Sequence, residues 1–264
     1  EGMYAVVHCA WEGRGAGDGM LEKVNLDGTM ALIECAERNN VKTFVHISSV
    51  GVYGLNRYLW GSQVNEDTPM VSEQDSMNSY PWVKVLIEKK CEEIHDRLAM
   101  NLVVIRPGLL FSDVKAPAKK LIGSKVKRYG LFVGKANNHL PYIHVDDVAG
   151  MILLLLDNPV KYRVYNCVPT NRLSAAEFFE QWGLYKGYSA RVLKMPPIML
   201  RLMFWGVQKL KKAMGKKIGS SSVDYQIMTG IRNIFYSADR AVSELGWQDT
   251  TTSSIISTDK STQK

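Results

Sequence analysis

Apolar residues along this chain follow two alternating rhythms. Short, nearly uninterrupted apolar runs at Tyr4 to Cys9, Val41 to Ser48 and Leu102 to Ile105 read as strands buried on both faces. Between them, apolar positions recur every three or four residues. Met20 to Asn39 carries Leu21, Val24, Met30, Ile33 and Ala36 at that spacing, which predicts a helix with one covered side. Ser79 to Leu98 reads as a second helix, and Pro81 is tolerated in its first turn because the missing N–H has no intrahelical partner there. Val145 to Leu156 opens with Asp146 and Asp147, which suit a helix N-terminus, and turns apolar over Met151 to Leu156. This alternation predicts an α/β fold, a doubly wound, mostly parallel sheet with helices on both faces.

The intervening segments differ in character. Gly51 to Met77 is broken by Gly54, Gly61 and Pro69, the kind of long connection that lies over an active site. Gly13 to Gly19 is glycine-rich between a strand and a helix. Its glycines at every second position fit neither G-x-G-x-x-G nor G-x-x-G-x-x-G, so the segment reads as a surface loop rather than a phosphate cradle. Pro196 to Lys217 runs apolar through Ile198 to Trp205 and then basic through Lys209, Lys211, Lys212, Lys216 and Lys217. It is too short and interrupted to span a bilayer; a basic helix with Trp and Phe suits a membrane surface or a partner, but the preferred reading is a helix with its apolar face packed inward.

The candidate chemistry is a hydroxyl, a phenol and an amine. Tyr80 and Lys84 stand four residues apart, on one face of the second helix, and Ser49 ends the strand Phe44 to Ser48. An ammonium beside a phenol favours its ionised form, and a phenol that exchanges protons near neutrality needs such help because its free pKa is about 10. Taken alone, the pentapeptide is better explained as a solvated helix face. His144 with Asp146 and Asp147 reads as capping and packing rather than a metal site, since one short stretch does not converge on an ion. No metal is expected. His8 reads as a core or cofactor-adjacent residue.

Six pieces of the sequence, in order, carry a family resemblance: Val6 to Ala10, Asn25 to Thr29, Ser48 to Gly54, Tyr80 to Lys84, Arg106-Pro107-Gly108 and Ile143 to Ala149. With them the chain resembles the extended short-chain dehydrogenase/reductase family, also called the NAD-dependent epimerase/dehydratase family. The likeness runs from about Tyr4 to Trp247, where Asp239 to Trp247 looks like the family's closing helix. It implies a Rossmann-like dinucleotide-binding domain over residues 1–110, to which 141–168 return. A smaller substrate-binding lobe is implied over 111–140 and 169–250; the Ser/Thr-rich stretch beyond Trp247, 251–264 in particular, departs from the family pattern and reads as a mobile tail. It implies Tyr80 as acid/base, Lys84 as the residue holding the nicotinamide ribose and lowering the tyrosine pKa, and Ser49 as the hydroxyl polarising the substrate oxygen. Ala10, Asn25, Ser48 and Pro107 match positions lining the cofactor, which is NAD or NADP. The family's phosphate-binding glycine turn precedes the strand that Tyr4 to Cys9 resembles, so either an upstream segment carrying it stands before Glu1, the preferred expectation, or the chain is a remnant that does not hold dinucleotide in the family's way.

Sugar-nucleotide epimerases of the family usually carry an asparagine and an arginine where this chain has Leu109 and Leu140, taken here as substrate-binding positions. Replacing a bidentate phosphate donor by an isobutyl group tilts the reading toward less charged substrates, as in the 3β-hydroxysteroid dehydrogenase or dihydroflavonol reductase branch, although Arg106, Arg128 or Lys135 offers charge nearby. Three functions remain open: interconversion of a secondary alcohol and a ketone, nucleotide-sugar epimerisation or dehydration by the same residues, and a non-catalytic binding or regulatory role. Cys9, Cys35, Cys91 and Cys167 are scattered without a C-x-x-C pair, which suggests reduced thiols and a cytoplasmic protein. A net charge of +7 suits an anionic dinucleotide, so a small-molecule substrate is expected rather than nucleic acid, and a homodimer is compatible.

Overall fold

The computed structural model describes residues 2–13, 18–54, 61–76, 79–114, 125–126, 129–160, 162–213, 227 and 231–256. Residues 14–17 of the glycine-rich loop, Arg128, Lys216, Lys217 and the tail beyond Ile256 lie outside them. In chain order the first half forms β1 (Ala5–His8), α1 (Asp18–Arg38), β2 (Thr43–Ile47), β3 (Ser62–Val64), α2 (Ser79–Ile94), β4 (Asn101–Pro107) and β5 (Leu109–Phe111). There follow β6 (Lys125–Val126), β7 (Tyr129–Val133), β8 (Tyr142–His144), α3 (Val145–Asp157), β9 (Tyr162–Cys167) and α4 (Ala175–Tyr185). The last elements are β10 (Arg191–Met195), α5 (Pro197–Ala213), β11 (Ile234–Tyr236), α6 (Asp239–Leu245) and α7 (Thr250–Ile256).

Strands β1, β2, β4 and β9 form an all-parallel sheet in the order β1-β2-β4-β9, with Phe44 opposite Leu102 and Val45 opposite Val103. Successive strand side chains point to opposite faces, and that alternation builds two cores. Phe44, Leu102 and Val104 pack with Ile33 and Ala36 of α1 and with Val83, Ile87 and Cys91 of α2. Val45, Val103 and Ile105 pack on the other side with Val148, Met151 and Leu155 of α3 and with Trp247. Unbroken apolar strands are therefore the sequence imprint of helices on both faces, as the patterning predicts. Among the described residues, β10-β7-β6, β11-β3 and β5-β8 form smaller sheets outside it.

His46 interrupts the apolar run of β2 on the face toward α2. It is buried, neither ring nitrogen has a hydrogen-bond partner among the described residues, and its ring lies 5.7 Å from that of His8. Burial, then the nearby Lys84 charge, then His8, holds its pKa well below the usual 6.5. The folded form thus refuses a proton that the unfolded chain accepts, so stability is retained above about pH 6.5 and lost as pH falls below it, at up to about 1.4 kcal/mol per pH unit. His8 shifts in the same direction. Urea unfolding midpoints between pH 7 and pH 5 should show this decline, and His46→Leu should flatten it. An unchanged slope in the variant would place the proton uptake elsewhere.

Two expectations are corrected here. The segment after Trp247 is not a mobile end over residues 250–256, because it forms α7, with Thr252, Ile255 and Ile256 buried. The Asp147 carboxylate accepts from the backbone N–H of Thr251 and Thr252 at 2.8 and 2.7 Å and from the Thr252 hydroxyl at 2.5 Å. Asp147 therefore caps α7, a distant helix, while the cap of α3 is His144, whose Nδ1 accepts from the Asp146 N–H at 3.2 Å. Nor does α5 hide its apolar residues: Ile198, Leu202 and Trp205 are 62%, 61% and 59% exposed. Among the described residues no helix is long and apolar enough to cross a membrane.

Candidate functional site

The C-terminal ends of parallel strands open onto a crevice where α/β proteins commonly bind ligands. At the end of β2 the chain turns into a short 3-10 segment, Val50–Tyr53, whose N-cap is Ser49, with its Oγ accepting from the Gly51 N–H at 3.1 Å. That cap fixes the Ser49 side chain while leaving its hydroxyl hydrogen to reach the Tyr80 phenol, with which it bonds. Tyr80 lies in the first turn of α2 and is 37% exposed, whereas Lys84, one turn deeper, is 4% exposed and donates to the Ile47 carbonyl at 2.8 Å. Trp11, just past β1, sits edge-on to Tyr80 with ring centroids 4.8 Å apart, and the Lys84 Nζ lies 4.8 Å from the indole centroid.

The structure brings Ser49, Tyr80 and Lys84 together, but the acidified phenol expected from the sequence is not found. Burial raises the Tyr80 pKa, and the hydrogen bond from Ser49 opposes that rise. The Lys84 ammonium points instead to the Ile47 carbonyl and the indole. Burial lowers the Lys84 pKa to about 8 against the opposing charges of Glu88 and Cys9.

Behind this trio lies a buried polar cluster that sequence reasoning missed. Glu88, one helical turn beyond Lys84, receives Arg106 Nε at 3.0 Å and Nη2 at 2.6 Å on Oε2. The Ser48 hydroxyl donates to the same carboxylate. Arg106 Nη1 also donates to the Tyr53 hydroxyl at 2.7 Å, and Tyr53 to Asn166 Oδ1 at 2.8 Å. The spacing Tyr80, Lys84, Glu88 on one helix face was the available signal. Ser48 and Pro107, assigned to the cofactor wall, are buried. Arg106 is committed to Glu88 and does not restore charge to the substrate side; Lys135 is exposed and outside the pocket lining. Asn25 spends its amide on the turn holding Trp11, with Oδ1 accepting from the Glu12 N–H at 2.9 Å and Nδ2 donating to the Glu12 and Leu21 carbonyls. Ala10 is exposed at the end of β1.

Beside the trio is a pocket of about 320 Å³, into which Ser49, Tyr80, Leu109, Leu140, His139 and Arg232 all face. Leu109 and Leu140 meet because β5 pairs with β8, and Leu109 N–H bonds the Pro141 carbonyl at 2.7 Å. Gly108 permits that approach: a Cβ there would stand 2.0 Å from the Pro141 oxygen. His139, whose Nδ1 lies 2.9 Å from Asn233 Oδ1, and Arg232 come from segments that carried no motif, and nothing in the sequence marked them.

The family profile described as NAD dependent epimerase/dehydratase matches residues 2–167. An N-acetyl-alpha-D-glucosaminyl-diphospho-ditrans,octacis-undecaprenol 4-epimerase of Escherichia coli O157:H7 is 29% identical over 210 residues, covering 76% of this chain and 59% of that protein. A sterol-4-alpha-carboxylate 3-dehydrogenase, decarboxylating, of Candida albicans is 24% identical over 258 residues, covering 92% of this chain and 71% of that protein. A short-chain dehydrogenase/reductase superfamily protein from Agrobacterium tumefaciens, solved with bound NAD, shares the fold at a TM-score of 0.65 and 17% identity, covering 97% of this chain and 77% of that one. The profile match takes in well over half of the sequence, including the strand end and the helix that carry Ser49, Tyr80 and Lys84, so this chain is a member of the NAD dependent epimerase/dehydratase family.

Proposed function

We propose that the protein is an NAD(P)-dependent oxidoreductase interconverting a secondary alcohol and a ketone on a weakly charged, largely apolar substrate. One observation carries this reading: the hydrogen-bonded Ser49 and Tyr80 hydroxyls open into the same pocket as Leu109 and Leu140. Residues 1–110 with 141–168 form its cofactor half, and 111–140 with 169–250 its substrate half.

Tyr80 acts as the proton carrier. Because its pKa is raised, the phenol is protonated at neutral pH and is poised to donate to a carbonyl oxygen as that oxygen gains charge. With substrate bound the Ser49 hydroxyl turns its one hydrogen from Tyr80 to the same oxygen, so two neutral donors meet the developing alkoxide without themselves adding a permanent charge. The hydride would be supplied or removed by a nicotinamide dinucleotide when one is bound. Tyr80 and Lys84, a phenol and a buried ammonium on one helix face, have the donor chemistry to hold the ribose next to that nicotinamide. Ala10 lies beyond the neighbouring strand, and Asn25 supports its turn.

The second reading, epimerisation of a sugar joined to a diphosphate, is favoured by the E. coli relative and uses the same three residues. Cofactor balance separates the two. The first predicts that NADH or NADPH is consumed in stoichiometric amounts by apolar cyclic ketones such as steroid or flavonoid ketones, followed by absorbance. Formation of an epimer from UDP-linked sugars with no net change in the dinucleotide would replace the first reading with the second.

A further inference from the structure

The outward face of α5 is apolar and the segment around it is intensely basic. Ile198, Met199, Leu202, Met203 and Trp205 fall on one side of the helix, each at least half exposed. Between Glu180 and Asp224 the sequence holds no acidic residue and nine lysines and arginines, leaving 24 basic against 26 acidic residues elsewhere. The whole excess of positive charge is therefore concentrated in the stretch that exposes these side chains. Lys209 Nζ stands 3.9 Å over the Trp205 ring, so a cation sits directly on the apolar face, and Lys211 and Lys212 follow in the last turn.

A helix serving only as packing would turn this face inward, and a face serving only solubility would not be apolar. An anionic bilayer surface satisfies both features at once. Aliphatic and indole side chains enter the boundary between headgroups and acyl chains, while long basic side chains reach up to lipid phosphates. We infer that α5 docks this protein onto a membrane surface rich in anionic phospholipid, lying in the plane of the interface rather than crossing it.

Co-sedimentation of the whole chain with vesicles tests this. The protein is expected to pellet with phosphatidylcholine vesicles containing phosphatidylglycerol, to remain in solution with phosphatidylcholine alone, and to be released as salt is raised. Leu202→Glu with Trp205→Glu places charges on an already exposed face, so the fold should persist by circular dichroism while the bound fraction falls about tenfold or more. Arg201→Glu with Lys209→Glu should weaken binding to the anionic vesicles. Failure of the parent chain to pellet with anionic vesicles, or equal pelleting of the Leu202/Trp205 variant, overturns the inference. Self-association that the Leu202/Trp205 variant abolishes, without vesicle binding by the parent, assigns the face to a second copy instead.

Discussion

Tyr80→Phe is expected to lower turnover by about 10²- to 10⁴-fold, the range for loss of a positioned general acid or base. Only the hydroxyl is removed. The ring keeps its edge-on contact with Trp11, and Ser49 keeps its bond to the Gly51 N–H, so the unfolding midpoint should stay close to that of the parent. The loss should fall on kcat more than on KM, since proton donation matters most as charge develops on the substrate oxygen. Steady-state rates on whichever substrate turns over provide the check, and a variant as fast as the parent would remove Tyr80 from the chemistry.

Glu88→Gln should produce the largest change in stability, about 3–5 kcal/mol by urea unfolding. Both partners of the Arg106–Glu88 pair are almost wholly buried, at 5% and 2% side-chain exposure. Removing the carboxylate charge strands a guanidinium in the interior and weakens the acceptor for the Ser48 hydroxyl. Changing both partners, Glu88→Leu with Arg106→Met, should recover much of the loss, because the burial penalty then disappears along with the attraction. A Glu88→Gln protein as stable as the parent would mean that the cluster contributes nothing net. The same change removes the charge that raises the Lys84 pKa, so that ammonium should lose its proton at still lower pH.

The large elements were legible because their signals are periodic and local. Unbroken apolar runs gave β1, β2 and β4, and the three-to-four spacing gave α1 and the first turns of α2, where Pro81 marks the start. Ser49, Tyr80 and Lys84 were legible as spacing within one helix plus one strand end. What escaped was relational. The Asp147 cap on α7 joins residues more than a hundred positions apart, and Ser/Thr-rich composition resembles a loose end until such a partner is known. The state of the Tyr80 phenol depends on which way the Lys84 ammonium turns, and i,i+4 spacing specifies proximity but not aim. His139 and Arg232 reach the pocket through tertiary folding alone. The apolar stripe of α5 was visible, but periodicity cannot say whether a stripe faces the interior or the outside.

The indole of Trp11 lies against both Tyr80 and Lys84, the two groups assigned to the cofactor's ribose. In that assignment a ribose hydroxyl that accepts from the ammonium draws it away from the indole, at the expense of a cation–π contact worth roughly 0.5–2 kcal/mol. Under the proposed cofactor geometry indole and sugar compete for one cation, so a smaller residue at position 11 would leave that ammonium uncontested and should tighten dinucleotide binding.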